Sequence, residues 1–210
     1  MTHKRLNYLL ISIVSFLFCV LVLSHAVRAE SDWSWHVAGY AATNLAYDCG
    51  YDPGIGAVGE LYGRWKFLEL KAHGALMYQH KKHAQTGYTF GYGLEGRGYV
   101  WKDFYVLGAS KWAGYRSEFE DGRVWEKKGC NYGFGAGYNN GDTDISLSYY
   151  LKEHESPNQV QYTTLALRQR IWTIIHGMAN LTRQSYDQGT VRGMERWVGW
   201  TCSIGVGIRW

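Results

Sequence analysis

His154 and Ser156 stand two apart in His154-Glu155-Ser156. At that spacing an imidazole can take the proton of a neighbouring hydroxyl and make it a nucleophile. Such a pair needs a carboxylate to orient the base. Glu153 or Glu155 would have to serve, and the pair runs into Pro157-Asn158, a polar stretch that reads as a loop. A second set is ionisable without being nucleophilic: Glu60, Arg64, Glu69, Lys71, Glu95, Arg97, Lys111, Arg168, Arg170 and Arg209. Each falls at a polar position of a segment whose residues alternate between apolar and polar. His36, His73 and His176 share that polar face but come from segments far apart in sequence, with no metal-ligand spacing between them. No C-x-x-C pair occurs. The expectation is therefore no metal and no cofactor, with the histidines hydrogen-bonded in place.

The elements that must hold these groups are strands. Trp197–Trp210, WVGWTCSIGVGIRW, places Val198, Trp200, Cys202, Ile204, Val206, Ile208 and Trp210 on one face. Small or polar residues occupy the other, the alternation of a strand with one apolar side. Upstream the pattern repeats in segments of roughly 10–15 residues: Trp33–Tyr47, Ile55–Trp65, Phe67–Gln79, Thr86–Val100, Phe104–Ser117, Asn131–Tyr138, Ile145–Leu151, Tyr162–Arg170 and Trp172–Thr182. With the last segment this predicts ten strands, eight or twelve requiring one hairpin to be misread. Connections alternate in length, with loops at 48–54, 80–86, 118–129, 152–159 and 184–196 and tight turns near 66, 102, 141 and 171. Asn139-Asn140-Gly141-Asp142 is a strong hairpin signal. Trp33, Trp35, Trp65, Trp101, Trp172 and Trp210 all fall at the tight-turn end. Tyr47, Tyr78, Tyr88, Tyr132, Tyr149 and Tyr162 fall at the other rim. Such aromatic girdles mark the two interfaces of a membrane.

The first residues read as a secretory signal, residues 1–29, ahead of a single domain at 30–210. Lys4 and Arg5 supply the charged start, Leu9–Leu23 is apolar apart from Ser12 and Ser15, and Val27-Arg28-Ala29 offers a cleavage site. Without Lys4, Arg5 and Arg28 the 22 basic residues fall to 19, against 18 acidic, and nothing suggests a nucleic-acid partner. A composition of 26 Gly, 17 Tyr and 10 Trp with only 2 Pro in 210 residues belongs to an all-β chain. Export permits disulfides. Cys49 and Cys130 fall in predicted loops or loop edges and form the expected pair, while Cys202 lies on the apolar face of the last strand.

A terminal aromatic preceded by alternating apolar residues, behind a signal segment, resembles the final strand of bacterial outer-membrane β-barrels, a group that includes small OmpA-like proteins. The resemblance covers about a dozen residues. It implies a closed antiparallel up-and-down transmembrane barrel in the outer membrane, with outer-membrane lipid and lipopolysaccharide around it. It also implies an insertion machinery that reads the strand ending at Trp210. The ionisable set would then form a charge network plugging the lumen, leaving a structural or cell-surface role in which exposed loops meet a cell-surface or protein ligand. Two alternatives follow from the same family: a narrow pore, or a hydrolase of lipid A or phospholipid. Some small barrels of this kind are lipid A deacylases with a His-x-Ser pair, which His154 and Ser156 match, and a Glu, which Arg168 and Arg170 do not.

Overall fold

The computed structural model describes residues 33–47, 52–79, 83–151, 160–190 and 193–210. The expected signal segment, His154, Ser156 and Cys49 lie outside these residues, and with Cys49 so does the expected disulfide. The described chain forms ten antiparallel strands: β1 Trp33–Tyr47, β2 Gly54–Trp65, β3 Leu68–Tyr78, β4 Thr86–Trp101, β5 Phe104–Glu118, β6 Val124–Asn139, β7 Thr143–Tyr150, β8 Val160–Arg170, β9 Ile175–Thr190 and β10 Gly193–Arg209. Each strand pairs with its neighbours in sequence, and β10 returns to β1, closing a barrel. The seam continues past the strand end: Val37 N–H donates to the Trp210 carbonyl at 2.8 Å and Trp210 N–H returns to Val37 at 3.0 Å.

Alternation puts the two faces where a membrane barrel needs them. Leu70, Leu94, Val106, Phe134, Leu147, Ile204 and Val206 are more than half exposed on the outside, while Glu60, Glu69, Glu95, Arg97, Asp144 and Arg168 are buried inside. The interior is thus polar and the exterior apolar, the reverse of a water-soluble domain.

Tight turns gather at one end. Lys66 and Lys102 take positive φ at 52° and 47°. In the β6–β7 turn Gly141 has φ 91°, while the Asn140 side-chain oxygen accepts from the Asp142 and Thr143 amides at 3.1 and 2.8 Å. Trp35, Trp101, Trp172 and Trp210 lie at this end and are well exposed, Trp172 on the turn itself. Trp33 begins β1 and Trp65 ends β2 at the same end.

At the other end the strands run further than expected. The charged stretch expected as a loop at 118–129 is mostly strand: β6 begins at Val124, and only residues 119–123 turn. Cys130 accordingly lies within β6, opposite Trp112. Residues 184–196, also expected as a loop, pair over most of their length as the ends of β9 and β10. The other hairpin differs in the opposite sense: β9 starts at Ile175, not Trp172. Tyr162, expected at the outer rim, is at that height but points inward and is buried.

Candidate functional site in the barrel lumen

The polar positions of β2, β3, β4, β7 and β8 converge on two hubs. At the first, Glu60 accepts from Arg168 Nη2 at 2.7 Å and from Arg168 Nε at 3.2 Å. Lys71 Nζ lies 3.1 Å away, and Tyr62 donates its hydroxyl to the same carboxylate. Arg168 spends its remaining nitrogen on the Asn180 side-chain oxygen at 2.8 Å and the Leu167 carbonyl at 3.0 Å. At the second hub Arg97 Nη1 donates to Glu69 and to Asp144, each at 2.9 Å, while its Nε donates to Glu95. Tyr105 donates to the other Asp144 oxygen at 2.7 Å, and Tyr99 to Glu69 at 3.1 Å.

Buried charges persist only when paired and hydrogen-bonded on their remaining valences. Both hubs meet that condition. Tyr62 joins them: Lys71 and Arg209 lie over its ring at 5.0 and 4.9 Å, and Arg97 at 6.0 Å. Close approach of the second hub to the wall depends on Gly137, where a Cβ would collide with the Tyr105 ring and the Ile145 carbonyl.

Of the ten ionisable residues expected in the lumen, Glu60, Glu69, Lys71, Glu95, Arg97 and Arg168 come together in these hubs. Arg64 packs over the Tyr99 ring at 4.0 Å, next to the second hub, and Arg209 joins through Tyr62. Arg170 does not join. It is half exposed and bonds Asp142 of the neighbouring turn at 2.8 Å, because the last residue of a strand bends out to the rim. Lys111 faces in but stands apart from both hubs, its ammonium over the Tyr162 ring at 5.4 Å. Asp144 and the phenols of Tyr62, Tyr99 and Tyr105 are network members outside the charged set expected from sequence. The parity of Ser146 and Ser148 carried two residues back would have found Asp144. The three inward histidines remain separate. His73 lies across Gly93, where a Cβ would come within 2.6 Å of its ring. Among the described residues no cluster of three or more His, Cys, Asp or Glu forms a metal site.

On the loop side of the hubs the lumen widens into a cavity of about 240 Å³. Glu60, Lys71, Glu95 and Arg168 form its floor, Ser146, Ser148, Thr164, Thr182, Thr201 and Ser203 line its walls, and Lys111 and His73 face into it.

No family model and no curated protein matches the chain. Several solved structures are similar to it. An anion-selective porin from Comamonas acidovorans aligns at 13% identity and TM-score 0.39 over 75% of this chain and 49% of the porin, so the chain spans about half that protein's length. The N-terminal β-barrel domain of Pseudomonas aeruginosa OprF aligns at 13% identity and TM-score 0.40, over 83% of this chain and 97% of that domain. The translocator domain of the autotransporter NalP from Neisseria meningitidis aligns at 11% identity and TM-score 0.41, over 99% of each.

Proposed function

We propose that this protein is an integral outer-membrane barrel whose lumen is sealed by the two charge hubs, and that it acts as a structural and cell-surface component. The observation that carries the reading is the inversion of the fold: an apolar outer face on a closed barrel, around a paired polar interior. An exposed apolar surface wrapped round every strand is untenable in water. In hydrocarbon it is favoured, provided that every backbone amide is paired, and closure of β10 on β1 supplies the pairing. The Trp-rich turn end then lies at one interface, and Lys66 and Lys102, each over the indole before it at 4.9 and 5.3 Å, fit lipid headgroups there.

Outer-membrane lipid and lipopolysaccharide are the partners this reading implies, together with an insertion machinery that engages the strand ending at Trp210. Geometry and energy together support a sealed lumen. Arg97 and Arg168 bridge strands that are distant in sequence, and an ion crossing between the hubs would have to part buried charge pairs. Reconstitution into planar bilayers tests the reading. Bilayers containing the folded protein are expected to stay at baseline current at 100 mV applied. Regular single-channel steps would replace the sealed barrel with a narrow pore.

A further inference from the structure

We propose that the cavity on the loop side of the hubs binds a small hydroxylated anion, a sugar acid of monosaccharide size, with Lys111 as its counter-charge. The charges on the floor are already matched: Glu60 holds Lys71 and Arg168, and Glu95 holds Arg97. Lys111 is different. Among the described residues it has no carboxylate within 4.0 Å, and its ammonium lies over the Tyr162 ring face at 5.4 Å. A half-buried ammonium that faces the cavity with an aromatic ring beside it and no carboxylate at hand is incompletely compensated, so a bound anion supplies what the wall lacks. His73 also lines the cavity, and its Nδ1, closed off behind the ring, has no hydrogen-bond partner among the described residues.

The walls define the rest of the ligand. Hydroxyls of Ser146, Ser148, Thr164, Thr182, Thr201 and Ser203 each carry one donor and two acceptor sites. Their mutual bonds, such as Thr164 to Thr182 at 3.0 Å and Ser203 to Asn44 at 3.1 Å, use only part of that capacity. Met77, Met178 and Val58 make one side apolar. Many hydroxyl partners beside one apolar patch suit a sugar ring, which is polar at its edge and carbon-hydrogen on its face. A volume of about 240 Å³ lies below the roughly 300–1,000 Å³ of pockets for drug-sized ligands. With the floor charges matched, Lys111 leaves one positive charge over, which a single negative charge balances and a dianion exceeds. That favours a carboxylate over a phosphate dianion.

The test is calorimetric titration of the full chain, folded in detergent, with sodium glucuronate, glucose and glucose 6-phosphate. Glucuronate is expected to bind, and glucose to bind at least about tenfold more weakly, the loss of about one charge-assisted contact. Lys111→Met is expected to weaken glucuronate by a similar factor while raising the urea midpoint of the ligand-free barrel, since it removes an uncompensated charge. A merely structural Lys111 would lower that midpoint. Should Lys111→Met not fold, the wild-type protein with reductively ¹³C-methylated lysines gives the same answer by NMR: glucuronate, and not glucose, is expected to shift the Lys111 resonance. The proposal is overturned by no binding of glucuronate, by equal binding of glucose, or by unchanged affinity in Lys111→Met. Tighter binding of glucose 6-phosphate would overturn the assignment to a carboxylate.

Discussion

Arg97 is bonded to Glu69, Glu95 and Asp144 at once, so three buried carboxylates depend on one guanidinium. Replacing it with methionine keeps much of the volume and leaves those carboxylates facing one another without a counter-charge. Removing one partner of a buried ion pair costs about 3–5 kcal/mol, and Arg97→Met should lose at least that much, read as a fall in the urea midpoint of the folded barrel. Arg170→Met is the control. Its bond to Asp142 is exposed on both sides, and exposed pairs contribute roughly 0–1 kcal/mol, so its midpoint should move little. The contrast also shows what was legible at this scale. Alternation finds which face a residue takes, and it found six of the hub charges because charge is its plainest marker. It could not tell Arg170 from Arg168, since direction at a strand end is set by the turn and not by the pleat. It left Tyr62 and Tyr105 out of the network because a phenol carries no charge, although both are fully buried and bonded to carboxylates through their hydroxyls.

The β5–β6 hairpin shows the same limit for whole elements. Hydrophobic alternation marks a strand only where one side meets an apolar medium, and the sequence from Glu118 to Lys128 carries none, which made it read as a loop. Backbone pairing needs no such pattern. Tyr115 pairs with Lys127, Arg116 with Glu126 and Ser117 with Trp125, continuing the ladder of the barrel wall. Side chains add to it: Arg116 bonds Glu118 at 3.0 Å and lies 3.9 Å from Glu126, and the Tyr115 and Trp125 rings are 6.4 Å apart. The tip is held by Asp121, whose carboxylate accepts the Arg123 amide at 3.1 Å and its guanidinium at 2.5 Å. The amide bond first, and then the guanidinium, hold that carboxyl below the usual range. Because strand backbone is unavailable to a protease, trypsin acting on the folded protein should cut this hairpin after Arg123 and spare Arg116. Mass spectrometry of the fragments checks it. Cleavage after Arg116 at a comparable rate would mean that the hairpin is not paired above the apolar band.

For the whole molecule the decisive contact is the seam. Nine of the ten strand pairings join neighbours in sequence and can form locally, whereas β1 with β10 must bring the two ends of the barrel together. Until they meet, two edges carry unpaired amides that hydrocarbon cannot satisfy. The sequence announced this architecture through its even strand count and its apolar last strand, but the register of the seam was not legible, because nothing local fixes how β10 slides along β1. The structure fixes it with a close approach: Gly207 stands opposite Tyr40, and a Cβ at Gly207 would collide with the Gly39 carbonyl oxygen and lie 2.7 Å from Tyr40 Cα. Those atoms are backbone and cannot step aside without parting the strands. Gly39, on the partner strand and turned outward, has open space where its Cβ would be. Gly207→Ala should therefore destabilise the folded barrel by about 1–3 kcal/mol, the usual cost of overpacking, with a smaller folded fraction on unboiled gels. Gly39→Ala should be neutral or slightly stabilising, since alanine gives up less backbone freedom on folding. The two substitutions add the same methyl to opposite sides of one seam, so equal effects would mean that closure tolerates crowding and that the register is held by something other than the Gly207 contact. A large loss confined to Gly207→Ala would identify closure as the point where the stability of the whole barrel is most easily broken.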